Sequence, residues 1–212
     1  MKQVFKLWML AFIFMSVASC NKNVDPIKSL PGELSPMGME GNQVTSSSME
    51  IAGVSNFQAT VTSVEDGVST YSGSATVTNP TILNILSNAP ECTVNGNTVT
   101  ATNISFKSTD KGISSVSGLL PGIIVKYDAK VGDEYPIEGS NAVRKVVSRS
   151  DTDDYDYGFF LIKVIKIEEN TNEMGVAKTT YWANHKFGLV GIEFKFDDGT
   201  TAKFPVYNSN EN

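Results

Sequence analysis

The chain carries one histidine, His185, and two cysteines, Cys20 and Cys92, so the chemistry open to it is narrow. A Ser-His-Asp triad would draw on His185, but no G-x-S-x-G turn exposes a nucleophilic serine. Zinc needs several His or Cys ligands, and one of each falls short. His185 stands between Asn184 and Lys186, which fits a turn. The densest carboxylate run is Asp151, Asp153, Asp154 and Asp156, the one weak candidate for a calcium loop. It has Tyr155 at the fifth position, Asp156 in place of glycine at the sixth and Ile162 in place of glutamate at the twelfth. Repulsion among its carboxylates favours a hydrated loop. Glycoside hydrolysis needs two suitably spaced acids. Glu168-Glu169 and Asp197-Asp198 are adjacent pairs, which suits surface turns. No phosphate-binding glycine loop is present. No metal, cofactor or catalytic residue is expected.

Recognition falls to aromatic side chains. Tyr181, Trp182 and Phe194 are the candidate lining of a ligand groove. Tyr181 and Trp182 are neighbours on a strand, so they point to opposite faces and at most one enters a groove. Core packing is the plainer role for either.

Cys20 has its own chemistry. Lys2 and Lys6 precede an apolar run over 7–18, followed by Val17-Ala18-Ser19-Cys20. A basic start, a short apolar stretch and small residues make a secretory signal. The run is 12 residues, against roughly 20 for a spanning helix. Cysteine directly after the small residues resembles the lipobox of bacterial lipoproteins. That resemblance implies cleavage before Cys20, a diacylated thiol and an acylated new amino terminus. Each buried CH₂ contributes roughly 0.8 kcal/mol, so several chains hold firmly. Asn21 rather than Asp after the cysteine favours the outer membrane by the rule of enteric lipoproteins.

Cleavage would leave 193 of 212 residues and, without Lys2 and Lys6, move the formal charge from −6 to −8. Such a chain is a poor nucleic-acid ligand. With Cys20 acylated, Cys92 has no disulfide partner and reads as a small buried hydrophobe. Burial alone must hold the fold, which a chain of this size permits.

Residues 20–45 read as the lipidated cysteine and a flexible tether, since Pro26, Pro31 and Pro36 interrupt any periodicity. From 46 the pattern becomes strand-like. Phe57, Ala59 and Val61 alternate with polar residues, Glu65-Asp66-Gly67 and Asn95-Gly96 mark hairpins, and Asp197-Asp198-Gly199 marks another. Asn79-Pro80 starts the one expected helix, over 80–89. Residues 159–165 are apolar on both faces and predict a central covered strand. Residues 45–78 are expected to form a second layer over one face of the sheet, leaving a shallow groove on the other. Residues 208–212 read as a disordered tail.

Over residues 123–207, Lys130-Val131-Gly132-Asp133-Glu134-Tyr135, then 163–168, then Tyr181-Trp182 followed by Gly188-Leu189-Val190-Gly191 resemble uncharacterised lipid-anchored proteins of Gram-negative bacteria. Some of these are similar to the lipoprotein-carrier (LolA-like) half-barrel. The resemblance implies a strongly curved antiparallel sheet with helical cover.

The expected fold is all-β or β-dominated: a curved antiparallel sheet, half-barrel or sandwich, with one short helix, in a single domain over 46–207 after a 1–19 signal. The expected function is a non-enzymatic, lipid-anchored cell-envelope binding module. It would sit on the outer membrane of a Gram-negative bacterium, facing periplasm or surface, with the bilayer and an envelope protein, glycan or lipid as partners. The alternatives are an envelope glycan or lipid hydrolase and a scaffold without a small ligand. A continuous apolar groove favours binding, convergent carboxylates favour hydrolysis, and a filled core favours the scaffold.

Overall fold

Short alternating segments separated by Gly, Asn and Asp turns produce a chain of antiparallel strands. The computed structural model describes residues 30–117, 122–137, 139–170 and 175–212. The expected signal over 1–19, Cys20 and residues 21–29 lie outside these. In chain order the elements are β1 (Gln43–Thr45), β2 (Val54–Glu65), β3 (Val68–Val77), α1 (Pro80–Ser87), β4 (Cys92–Asn95), β5 (Thr98–Thr109), β6 (Gly112–Ser115) and β7 (Gly122–Lys126). There follow β8 (Glu134–Pro136), β9 (Val143–Arg149), β10 (Tyr155–Tyr157), β11 (Phe160–Ile162), β12 (Ile165–Glu169), β13 (Val176–Asn184), β14 (Gly188–Phe196), β15 (Thr201–Pro205) and β16 (Tyr207–Asn208).

The first sheet has the order β16-β1-β2-β3-β5-β6-β7, with β4 also paired to β5. The second has the order β15-β14-β13-β12-β9-β8. The fold is β-dominated, a curled antiparallel half-barrel faced by a second sheet. Its curl has local causes. Asn56 in β2 and Asn103 in β5 adopt positive φ, at 54° and 59°, and pairing registers shift beside both. Such bulges bend a strand and increase its twist. Gly73 marks a close backbone approach, because a Cβ there would lie 2.6 Å from the Gln58 carbonyl oxygen.

The sheets meet at both flanks. On one, Val206 carries the chain from β15 into β16 and so from the second sheet to the first. On the other, Arg149 donates to the carbonyls of Tyr127 and Ala129, at 3.1 and 2.9 Å. Near that flank the interior is filled by Ile113, Ile124, Tyr127, Tyr135, Val146, Ile167 and Tyr181.

Helix α1 begins where expected. Asn79 Oδ1 accepts from the amides of Thr81 and Ile82, at 2.9 and 3.2 Å, and Pro80 occupies the first turn. No α1 residue is fully buried. No helix among the described residues is long and apolar enough to cross a membrane.

Three expectations are corrected. The free tether is wrong from Leu30 onward: Leu30, Met37 and Asn42 are buried, and β1 lies between β2 and β16. Isolated apolar residues in a proline-rich segment carry no period, yet Leu30 and Met37 are buried. The tail 208–212 is likewise held, with the Asn210 amide donating to Asn42 Oδ1 at 3.0 Å and the Asn212 amide to the Lys186 carbonyl at 2.9 Å. The central strand expected over 159–165 divides instead. Residues 160–162 pair with β10 as a separate hairpin, and only the segment from Ile165 joins the sheet, between β9 and β13. Gly158, at φ 76°, makes the hairpin turn that leaves Phe159 in solvent.

Candidate functional site

The structural feature with the capacity to bind is an internal cavity of about 510 Å³ between the two sheets. It exists because the first sheet supplies little side-chain volume there. Ala59 in β2 pairs with Gly73 in β3, Gly73 with Ala101 in β5, and Ala101 with Cys92 in β4. These four small residues form one transverse row, and all face the cavity. Across from them stand Ile192, Phe194 and Phe196 of β14 and Phe204 of β15. Phe194 and Phe204 meet edge to face with centroids 6.1 Å apart.

The cavity is elongated. Its wall includes Gly188, Leu189, Ile192, Phe194 and Phe196, the full length of β14. Eight steps at about 3.3 Å make about 26 Å. Met37, Gly188 and Asn208 line one end. Ile82, Ile85 and Leu86 of α1 line the other, and Ile82 and Ile85 also pack against Val176, Phe196 and Ala202. Phe57 belongs to the wall but is exposed, so the cavity meets solvent beside it.

No charged side chain and no histidine lines the cavity among the described residues. The Tyr71 hydroxyl donates to the Met37 carbonyl at 3.3 Å, and burial pushes its phenol up to about 12. Cys92 is half-buried on the wall, and burial, then the charge of Glu91, raise its thiol. It is a protonated wall atom at neutral pH.

Of the three aromatics expected in a groove, only Phe194 lines the cavity. Tyr181 lies in the filled part of the interior. Its hydroxyl donates to Glu169 Oε2 at 3.2 Å, and its ring lies under the Arg144 guanidinium at 5.7 Å. Burial first and then the Glu169 charge raise its phenol well above the ordinary value. Trp182 is on the outer face of the second sheet, 5.9 Å from Tyr155, with Lys203 Nζ 4.4 Å from its ring and 4.5 Å from that of Tyr155. The open groove expected on that face is covered: β10 and β11 lay Tyr155, Tyr157 and Ile162 over Val190 and Trp182. The binding space lies between the layers instead.

The polar candidates disperse. Asp151, Asp153, Asp154 and Asp156 are exposed, and Asp154 accepts from Ser150 Oγ at 2.6 Å. No group of three or more His, Cys, Asp or Glu converges on a metal position among the described residues. His185 is exposed on the β13–β14 turn, where Asn184 Oδ1 accepts from the amides of Lys186 and Phe187 at 2.7 and 3.2 Å. Glu169, expected at a surface turn, is fully buried, with Oε2 2.7 Å from Arg144 Nε. Arg144 also donates to the Ile123 carbonyl at 3.1 Å, so the pair ties β12 and β9 to β7.

Sequence reasoning missed the row Ala59, Gly73, Ala101 and Cys92. The available signal was small residues at inward positions of otherwise alternating strands. Comparison with known proteins finds no matching family model, no matching curated protein and no matching solved structure.

Proposed function

We propose that this domain is a non-enzymatic binding module that takes a hydrocarbon group, such as the acyl tail of a fatty acid or lysolipid, between its two sheets. The supporting observation is the long cavity without a charged wall residue. Its volume lies within the range of ligand pockets, about 300–1,000 Å³. The wall is mostly apolar, and a mostly apolar wall favours an apolar occupant. A charged headgroup would remain near Phe57 and solvent. An unfilled interior gives less support to a scaffold, and an uncharged wall gives less to a hydrolase.

The setting belongs to the same proposal. Cys20, after its small residues and short apolar run, would hold the domain on the outer membrane of a Gram-negative bacterium. There a lipid-carrying role like that of the half-barrel carriers would place hydrocarbon chains within reach.

Titration with a fluorescent single-chain fatty acid tests the reading. Saturable one-to-one binding is expected, displaced by unlabelled fatty acid. Ala101→Phe, and independently Ala75→Phe, should weaken it at least about tenfold, by filling the cavity without lowering the melting temperature. Absence of saturable binding, or equal binding by both folded variants, overturns it.

A further inference from the structure

The β10–β11 hairpin ends in apolar residues that the fold leaves uncovered. Phe159 is 104% exposed, Phe160 50% and Leu161 54%. The hairpin's base is well packed, with Tyr155, Tyr157 and Ile162 buried against the second sheet. The tip is therefore presented by a fixed support. Neighbouring apolar residues exposed at one point mark an interaction site.

We propose that this tip inserts into the interfacial region of a lipid bilayer. Its position relative to the amino-terminal segment carries the choice of occupant. Phe160 lies 5.6 Å from Phe187 on the β13–β14 turn. The adjoining Lys186 carbonyl accepts from the Asn212 amide at 2.9 Å, and Asn212 Oδ1 accepts from Ser35 Oγ at 2.7 Å. The amino-terminal segment thus packs at the end of the sandwich that bears the tip. Ten residues separate Leu30 from Cys20 and span at most about 35 Å. The inference rests on the anchor proposed at Cys20 for this orientation: acyl chains there would bring this end of the domain to the bilayer. Phe and Leu side chains suit the boundary between headgroups and acyl chains, where apolar groups bury about 5–10 Å deep. The hairpin's carboxylate, Asp156, pairs with Leu161, one step back from the terminal pair of Tyr157 and Phe160, where it can remain in water.

The test uses the full chain with Phe159→Trp, in phosphatidylcholine vesicles whose acyl chains carry bromine. The parent chain supplies the background from its own tryptophans. A blue-shifted, bromine-quenched emission absent from the parent is expected. The same substitution on a Cys20→Ser chain mixed with these vesicles separates tip from anchor. Quenching there also supports a tip that binds alone, and Phe159→Ser should then lower partition about tenfold or more. Quenching confined to the chain with Cys20 supports a tip that acts with the anchor. Solvent-exposed emission in both chains overturns the proposal whether or not the protein is membrane-bound. Self-association abolished by Phe159→Ser, without lipid quenching, assigns the tip to a second copy and also overturns it. Phe159 is wholly exposed, so both substitutions leave the packing intact.

Discussion

Asn42 and Asn208 hydrogen-bond side chain to side chain at 3.1 Å across 166 residues of sequence. Asn42 Nδ2 also donates to the Met37 carbonyl at 2.8 Å, and its Oδ1 accepts from Ser209 Oγ and the Asn210 amide. One buried amide thus fastens the amino-terminal segment to the carboxyl-terminal one. A chain beginning at Thr45 loses this knot together with buried Leu30 and Met37. Those two side chains alone are worth roughly 3–6 kcal/mol. The melting temperature should fall by roughly 6 °C or more relative to a chain beginning at Asn21. Equal melting would show that the segment contributes nothing.

The pair Arg144–Glu169 should respond asymmetrically. Glu169→Ala takes the charged partner from a buried guanidinium and should cost about 3–5 kcal/mol in denaturant unfolding. Replacing both, as Arg144→Met with Glu169→Leu, should cost less than the two single changes added together. Strict additivity would mean that the two charges do not act as a pair.

Alkaline pH should unfold the domain through its tyrosines. Burial pushes Tyr71, Tyr155 and Tyr157 up to about 12, whereas an unfolded tyrosine titrates near 10. The folded state therefore holds these protons longer. Their contribution is complete below about pH 10 and falls as pH rises toward about 12. Tyrosinate absorbance from these residues should grow together with loss of near-UV circular dichroism. Free titration of all seven tyrosines near pH 10 in a still-folded protein would contradict this.

Cys20→Ser should move the protein from the membrane fraction to the soluble fraction, because it removes the acylated thiol proposed from the sequence. Membrane association that survives both Cys20→Ser and Phe159→Ser would remove the basis for both proposed membrane contacts.

The hairpin at Asp66-Gly67, the cap at Asn79 and the β-dominated class were legible because each rests on local chemistry, as was the second hairpin, whose turn is Gly96-Asn97, one residue past the expected Asn95-Gly96. The cavity was not. Ala59, Gly73, Ala101 and Cys92 are spread over four strands, and only the register aligns them in one row. Trp182 shows the same limit from the other side. Alternation separated it correctly from Tyr181, but periodicity does not say which face a later hairpin will cover. Residues 159–161 read as interior because their composition is apolar, and a glycine turn put them outside.

The placement of β1 between β2 and β16 also sets the order in which the chain can finish folding. Val44 pairs with Ala59 on one side, a partner made moments later in synthesis, and with Asn208 on the other, made 164 residues after it. Closing so long a loop carries an entropic cost that rises with the logarithm of its length, and such distant pairings form slowly. Until they form, one flank of β1 is an open edge, available to another strand. The vulnerability of that edge to aggregation therefore ends only when β16 pairs with β1.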